Sequence, residues 1–361
     1  MRPYQPYQRP RANRFEMIQS HLTRNRILLL LPAMKLALSA VLLSLLAGCS
    51  THPARNPTAA QSAVQRHGRL QVKSGQLCDE SGSPVQLRGM SSHDLKRFPF
   101  SENTVSNLAS GWHASVVRAA MYTDSYGSSY IHEPQVKQAV QSIIEQALRN
   151  GIYVIVDWHI LQDGNPNRYK EEAKLFFEDM ARTYGSRPNI IYEICNEPNG
   201  PGVTWKEIKS FAEFVIPAIR AIDPHNIIIV GTDNWSQGVR AASESALDFP
   251  NVMYALHFYA GTHRDDLRRN ADDALSRGLP IFVTEWGLTD ASGKGALHMA
   301  EGQKWVDWMN AHKISWANWS FSNFDESTAA LKPSATMDGP WADTDLSDSG
   351  AWVKSHMAES K

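Results

Sequence analysis

The chain has 361 residues, a hydrophobic fraction of 42% and a formal net charge of −1 at pH 7. This length allows one large domain or two ordinary ones, and the near-neutral charge leaves no basic footprint for nucleic acid. Eleven tryptophans, eleven tyrosines and twelve phenylalanines should mostly fill a core, although aromatic rings also pack well on the apolar faces of sugars.

The N-terminal stretch reads as an export address and not as part of the folded domain. Met34-Lys35 precedes an apolar run from Leu36 to Leu46, and Leu46-Ala47-Gly48-Cys49 resembles a bacterial lipobox. That resemblance implies Cys49 as the lipidated N-terminus, and Ser50 after it implies outer-membrane sorting or later release. The Arg-rich residues 1–33 are long for a leading segment, so Met17 and Met34 are alternative starts. A membrane-spanning helix is the competing reading, but the run is short for one. From Thr51 to about Gln65 the chain is rich in Ala, Pro, Ser, Thr and Gln without periodicity, as in a flexible tether. The expected division is an export region over 1–49, a tether or propeptide over 50–66, and one domain over 67–361.

From Leu70 onward strand-like and helix-like segments alternate. A hairpin begins at Leu70 to Val72, with its turn expected at Ser81-Gly82-Ser83-Pro84. Apolar runs then predict strands at Val85–Met90, Ser115–Ala119, Tyr153–Asp157, Ile190–Ile194, Ile227–Val230, Met253–His257, Ile281–Thr284 and Ser315–Trp319. Between them, Val136, Ala139, Val140, Ile143, Ile144, Ala147 and Leu148 share one helical face, with Gly151 placed to cap it. Further helices are expected at about Tyr169–Tyr184, Trp205–Ala221, Arg264–Arg277 and Leu297–His312, and a last one from Asp348 to Ala358. Eight strands alternating with helices point to a (β/α)₈ TIM barrel behind a short N-terminal β-hairpin; the usual size of such a barrel is ~250 residues. A doubly wound open sheet is the alternative, but the chain lacks its Gly-rich phosphate loop. Cys78 and Cys195 lie far apart and make no disulfide framework, and Cys195 reads as a small core residue.

In a barrel of this kind functional groups gather where strands end. Arg118 and Tyr122 fall at the second strand, Asp157-Trp158-His159 at the third, Asn196-Glu197 at the fourth, His257 and Tyr259 at the sixth, Glu285 at the seventh and Trp319 at the eighth. His93 joins the same rim. Any one of these would read as structural; their common end is the signal. Glu197, in Ile-Tyr-Glu-Ile-Cys-Asn-Glu-Pro, and Glu285, in Ile-Phe-Val-Thr-Glu-Trp-Gly, are two carboxylates at strand ends, which is the equipment for splitting a glycosidic bond. One protonates the leaving oxygen and the other attacks the sugar. No metal or other cofactor is expected, since His159 and His257 lack the spacing of a zinc site.

The segments Gly-Met-Ser-Ser-His (89–93), Val-Asp-Trp-His (156–159), Asn-Glu-Pro-Asn-Gly (196–200), His-Phe-Tyr-Ala-Gly-Thr-His (257–263), Thr-Glu-Trp-Gly (284–287) and Ala-Asn-Trp-Ser (317–320) resemble bacterial endoglucanases of glycoside hydrolase family 5. The resemblance runs from about Leu70 to the C-terminus. It implies a retaining β-1,4-glucanase acting on a glucan polysaccharide, with Glu197 as acid/base and Glu285 as nucleophile. By the same match Arg118, His159, Asn196, His257 and Tyr259 surround the reacting sugar, and Trp235 and Trp319 line subsites on either side of the cut. A β-mannanase or mixed-linkage glucanase on the same barrel, or a lipoprotein that only binds polysaccharide, are the alternatives. A monomer that meets membrane only through its lipid anchor is expected. No second module is expected after the barrel, and soluble or amorphous glucan is the expected substrate.

Two places depart from the family pattern. Where relatives read Gly-Leu-Gln-Trp after Ser-Ser-His, this chain has Asp94-Leu95-Lys96-Arg97, and Phe324 stands where they often carry a lysine. If the two loops face each other, an aromatic and a basic residue have exchanged places; otherwise a distal subsite is weaker.

Overall fold

The computed structural model describes residues 61–124 and 129–358. Cys49 and most of the expected tether lie outside them. The described chain starts with a short helix, Ala63–His67, whose Ser62 cap and Gln65 side chain satisfy each other's backbone donors.

A two-stranded antiparallel hairpin follows, β1 (Gln71–Lys73) and β2 (Gln76–Cys78). Its turn is Ser74-Gly75, not the expected Ser81–Pro84. Ser74 and Gly75 both take left-handed φ, 51° and 75°, the backbone twist that two-residue hairpin turns require. The Ser81–Pro84 segment makes a second reversal, with a bridge between Cys78 and Pro84.

Eight parallel strands then close into a barrel: β3 (Arg88–Ser92), β4 (Val116–Tyr122), β5 (Tyr153–His159), β6 (Ile190–Glu193), β7 (Ile227–Val230), β8 (Val252–Tyr259), β9 (Ile281–Gly287) and β10 (Trp316–Phe321), with β10 pairing β3. Every residue of β4, β5 and β9 is buried, which is why these strands read as continuous apolar runs and not as alternation. Helices cover the outside. Lys137–Asn150 buries Val140, Ile143, Ile144 and Ala147 on one face and ends at Gly151 in the left-handed conformation, φ 64°, as its periodicity predicts. Each fully buried Val, Leu, Ile or Phe contributes about 1.5–3 kcal/mol before chain entropy is counted. Much of the aromatic content is core: Trp158, Trp286, Trp305 and Trp316 are fully buried, and Phe258 stacks on Trp305 with centroids 3.9 Å apart.

The strands begin near where expected but most run further. β4 reaches Tyr122, β5 reaches His159, β8 reaches Tyr259 and β9 reaches Gly287. Polar residues that seemed to end the runs are instead inside them, because those side chains satisfy one another in the interior. Arg118 is accordingly in the middle of β4 and not near its end. The helix Glu102–Gly111 was not legible as such. Its apolar face is only Val105 and Leu108 with Thr104.

Gly89 of β3 pairs with Val116 of β4, and a Cβ there would lie 1.8 Å from the Val116 carbonyl oxygen. Neither atom can move without opening the sheet. Gly89→Ala is expected to lower unfolding free energy by about 3 kcal/mol or more, read as a fall in the urea midpoint; a midpoint equal to wild type would contradict this packing.

Candidate active site

The carboxyl ends of the strands surround a cavity of about 590 Å³. Of the residues singled out in the sequence, His93, Tyr122, His159, Glu197, Trp235, His257, Tyr259, Glu285 and Trp319 line it. Arg118 and Asn196 lie buried beside this layer, 0% and 1% exposed. Phe324 sits one ring further out, 5.4 Å from the His93 ring.

Arg118 organises the floor. Its Nε donates to Glu193 Oε2 at 2.7 Å, Nη2 donates to Asn196 Oδ1 at 2.6 Å, and Nη1 donates to Glu285 Oε2 at 3.2 Å. Asp157 Oδ2 is 2.9 Å from Nη2. Burial works against the guanidinium charge, but Asp157, Glu193 and Glu285 outweigh it and hold the proton more firmly than usual. The other oxygen of Glu285 accepts from the Tyr259 hydroxyl at 2.8 Å. Both oxygens of this carboxylate are therefore held by donors.

Glu197 has a different neighbour. Its Oε1 is 3.0 Å from His257 Nδ1, and His257 Nε2 is 2.8 Å from Thr284 Oγ1, which donates to Glu193 Oε1 at 2.5 Å. Burial opposes a charged His257, yet Glu193, Glu197 and Glu285 overcome it and raise the imidazole to about 9. Glu193 is pushed up by burial but drawn down to about 2 by Arg118 and His257. One oxygen of Glu197, one of Glu285 and a His257 ring nitrogen lie within 4.8 Å of one another. Among the described residues this trio is the group able to converge on a metal ion, but both nitrogens of His257 already have protein partners.

The wall is aromatic. Trp319 stacks on His159 at 5.3 Å and 11°, Tyr122 meets the His159 edge at 4.6 Å, and His93 lies 5.0 Å from Trp319. His159 Nδ1 is 2.7 Å from Asp157 Oδ2. Burial followed by Arg118 depresses His159 to about 3, and burial followed by His159 depresses His93 to about 4. Both rings are neutral at pH 7. Burial drives Asp157 well above the usual carboxylate range despite Arg118.

Trp235 is 46% exposed and reaches the cavity from the turn after β7. Asn234, Trp235 and Ser236 all take left-handed φ of 53–55°, at roughly 1–2 kcal/mol for each non-glycine residue. The loops of Arg97 and Phe324 do face each other. The Arg97 guanidinium lies 4.6 Å from the Phe324 ring centroid and 5.1 Å from that of Phe98.

Glu193 was not among the sequence candidates, although a carboxylate inside the apolar run Ile-Ile-Tyr-Glu-Ile was a visible signal. Glu326, whose Oε1 is 4.0 Å from His93 Nε2, lines the cavity and carried no pattern to mark it. Cys195 is fully buried with its thiol 4.0 Å from the Gly231 carbonyl oxygen, and burial raises its pKa, as suits a core residue.

These shifts fix a stability profile. His93 and His159 titrate near 4 and 3 when folded against 6.5 ordinarily, so below pH 6.5 the unfolded chain binds more protons and stability falls. His257 contributes stability that is full below 6.5 and lost as pH rises through 9. The urea midpoint is expected to decline from pH 6.5 to pH 9 as His257 loses its proton. A midpoint that climbs steadily from pH 7 to 9 would contradict a cationic His257.

Comparison with known proteins gives a consistent picture. The model of the family described as cellulase (glycosyl hydrolase family 5) matches residues 78–325. An endoglucanase of Clostridium saccharobutylicum is 50% identical over 297 residues, covering 81% of this chain and 66% of that protein. Endoglucanase A of Evansella cellulosilytica is 54% identical over 282 residues, covering 77% and 57%. The chain thus spans between about half and two thirds of the length of these curated relatives. Among solved structures, the catalytic domain of Thermobifida fusca endoglucanase Cel5A in complex with cellotetraose superposes with a TM-score of 0.78 at 39% identity, covering 82% of this chain and 99% of that one. With its eight-stranded parallel barrel and a family model matched over most of its length, this chain belongs to the cellulases of glycosyl hydrolase family 5.

Proposed function

We propose that the chain is a retaining endo-β-1,4-glucanase that cleaves internal bonds of cellulose and soluble β-glucans by double displacement. The observation that carries this reading is the close approach of two carboxylates with unequal partners. One oxygen of Glu197 and one of Glu285 lie within 4.8 Å. That close approach supports the ~5–5.5 Å carboxyl spacing of retaining enzymes over the roughly 6.5–9.5 Å of inverting ones.

Glu285 is the nucleophile. Arg118 and Tyr259 hold its two oxygens, orienting the carboxylate while leaving a lone pair for the anomeric carbon. In the first step Glu197 gives a proton to the departing oxygen. Once Glu285 carries the sugar as a neutral ester, Glu197 takes a proton from the incoming water, and water displaces the ester. His257 orients Glu197, and Arg118 fixes Asn196 beside it, whose amide N–H donates to Ile160 O at 3.0 Å.

Trp235 belongs to the leaving-group side, since its backbone N–H donates to Pro198 beside Glu197. Trp319, His93, His159 and Tyr122 form the opposite, glycone wall. Similarity to the endoglucanases above, one of them solved with cellotetraose, supports glucan over mannan. Export with Cys49 acylated is part of the same proposal: fatty-acid labelling in the native cell should vanish in Cys49→Ala, and unchanged labelling would remove it.

Purified residues 66–361 are expected to release reducing ends from carboxymethylcellulose and not from galactomannan. Glu285→Gln should lower that rate by at least ~10³-fold. Release from mannan alone would keep the mechanism and replace the substrate, and silence on both would favour a binding protein. The Arg97 and Phe324 contact supports an exchange that retains one ring and one donor at the distal glycone end. Phe324→Ala should then raise KM on long glucans ~3–10-fold and much less on short ones; equal effects would refute the exchange.

A further inference from the structure

The three backbone carbonyls around the acid/base residue are all held by side chains or backbone from nearby turns. Asn196 O accepts from Ser236 Oγ at 2.6 Å, Glu197 O from Asn199 Nδ2 at 2.8 Å, and Pro198 O from the Trp235 N–H at 3.1 Å. Two of these three bonds come from one short segment, the left-handed run Asn234-Trp235-Ser236.

We propose that this run is a positioning device and that Ser236 is its key residue: it registers the Trp235 platform to Glu197, so that a sugar seated on Trp235 presents its glycosidic oxygen to the proton. The inference rests on the glucanase reading above and deepens it by assigning a residue to acid placement.

Several observations carry it. Ser236 is fully buried and cannot touch substrate; its hydroxyl also accepts from the Thr232 N–H at 3.2 Å, and its own N–H donates to Thr232 O at 3.1 Å. Thr232 Oγ1 in turn donates to Ala255 O at 3.3 Å, on the strand that carries His257. The backbone of Glu197 and its imidazole partner are therefore tied to the same turn from two sides. Gly231 allows the approach, since a Cβ there would lie 2.2 Å from Cys195 O. A non-glycine residue adopts left-handed φ only where its surroundings impose it. Here three do so in succession, and the conformation turns the Trp235 ring into the cavity and the Ser236 hydroxyl inward.

A positioning role for the acid differs from a general structural one in its dependence on the leaving group. A 2,4-dinitrophenolate departs without a proton, whereas a sugar hydroxyl requires one. The test is kcat/KM of wild type and Ser236→Ala on cellopentaose and on 2,4-dinitrophenyl β-cellobioside, with melting temperatures in parallel. The ratio of the two values is expected to fall by about tenfold or more in the variant, a part of what a well-placed general acid supplies. Should Ser236→Ala fail to fold, Ser236→Gly, which suits a φ of 55°, carries the same test. Equal losses on both substrates, or no loss on either, would overturn the inference while leaving the glucanase reading intact. A wild type silent on both substrates would overturn that reading and this inference with it.

Discussion

One buried cation holds this site together. Arg118 has no exposure to solvent and touches Asp157, Glu193, Glu285 and Asn196. A guanidinium in such a place is tolerable only because carboxylates surround it, and removing one partner of a buried ion pair typically costs about 3–5 kcal/mol. The same requirement fixes those carboxylates in space. Glu285 faces the cavity because one of its oxygens is held by Arg118, and Asn196 is fixed by giving Arg118 its side-chain carbonyl and Ile160 its amide N–H. Electrostatic necessity and catalytic geometry are here one arrangement.

The barrel makes the arrangement possible. Arg118 comes from β4, Asp157 from β5, Glu193 from β6 and Glu285 from β9, strands separated by long stretches of chain yet aimed at one point by closure of the sheet. Closure also brings β10 beside β3, which sets Trp319 against His93 and completes the aromatic wall. A second polar chain runs from Glu197 through His257 and Thr284 to Glu193. Glu193 therefore belongs to both networks and links Glu197 to Glu285 without facing the cavity.

The sequence made the broad features legible because two of its signals are local. Apolar runs marked the strands, and polar residues marked where function collects. Glu197, Glu285, His159, His257, Tyr259 and Trp319 all reach one cavity. What was not legible depends on contacts between distant segments. Glu193 looks like an intrusion in an apolar run until Arg118 is placed beside it. Ser236 looks like a loop serine until the left-handed turn brings it under Asn196. The strands outran their apolar stretches for the same reason: paired polar side chains can be buried, and periodicity alone does not register the pairing. The hairpin turn was misplaced because Ser74-Gly75 is a weaker turn signal than Ser-Gly-Ser-Pro.

The spacing of the two carboxylates decides between retention and inversion, and the stereochemistry of the product reports that spacing directly. Proton NMR of the anomeric signals during cleavage of a soluble β-1,4-gluco-oligosaccharide separates the outcomes within minutes, before mutarotation mixes them. Double displacement through Glu285 predicts the β-anomer first, with the α-anomer growing in later. An initial α-anomer would show direct attack by water, and would contradict both the assignment of Glu285 as nucleophile and the geometry on which it rests.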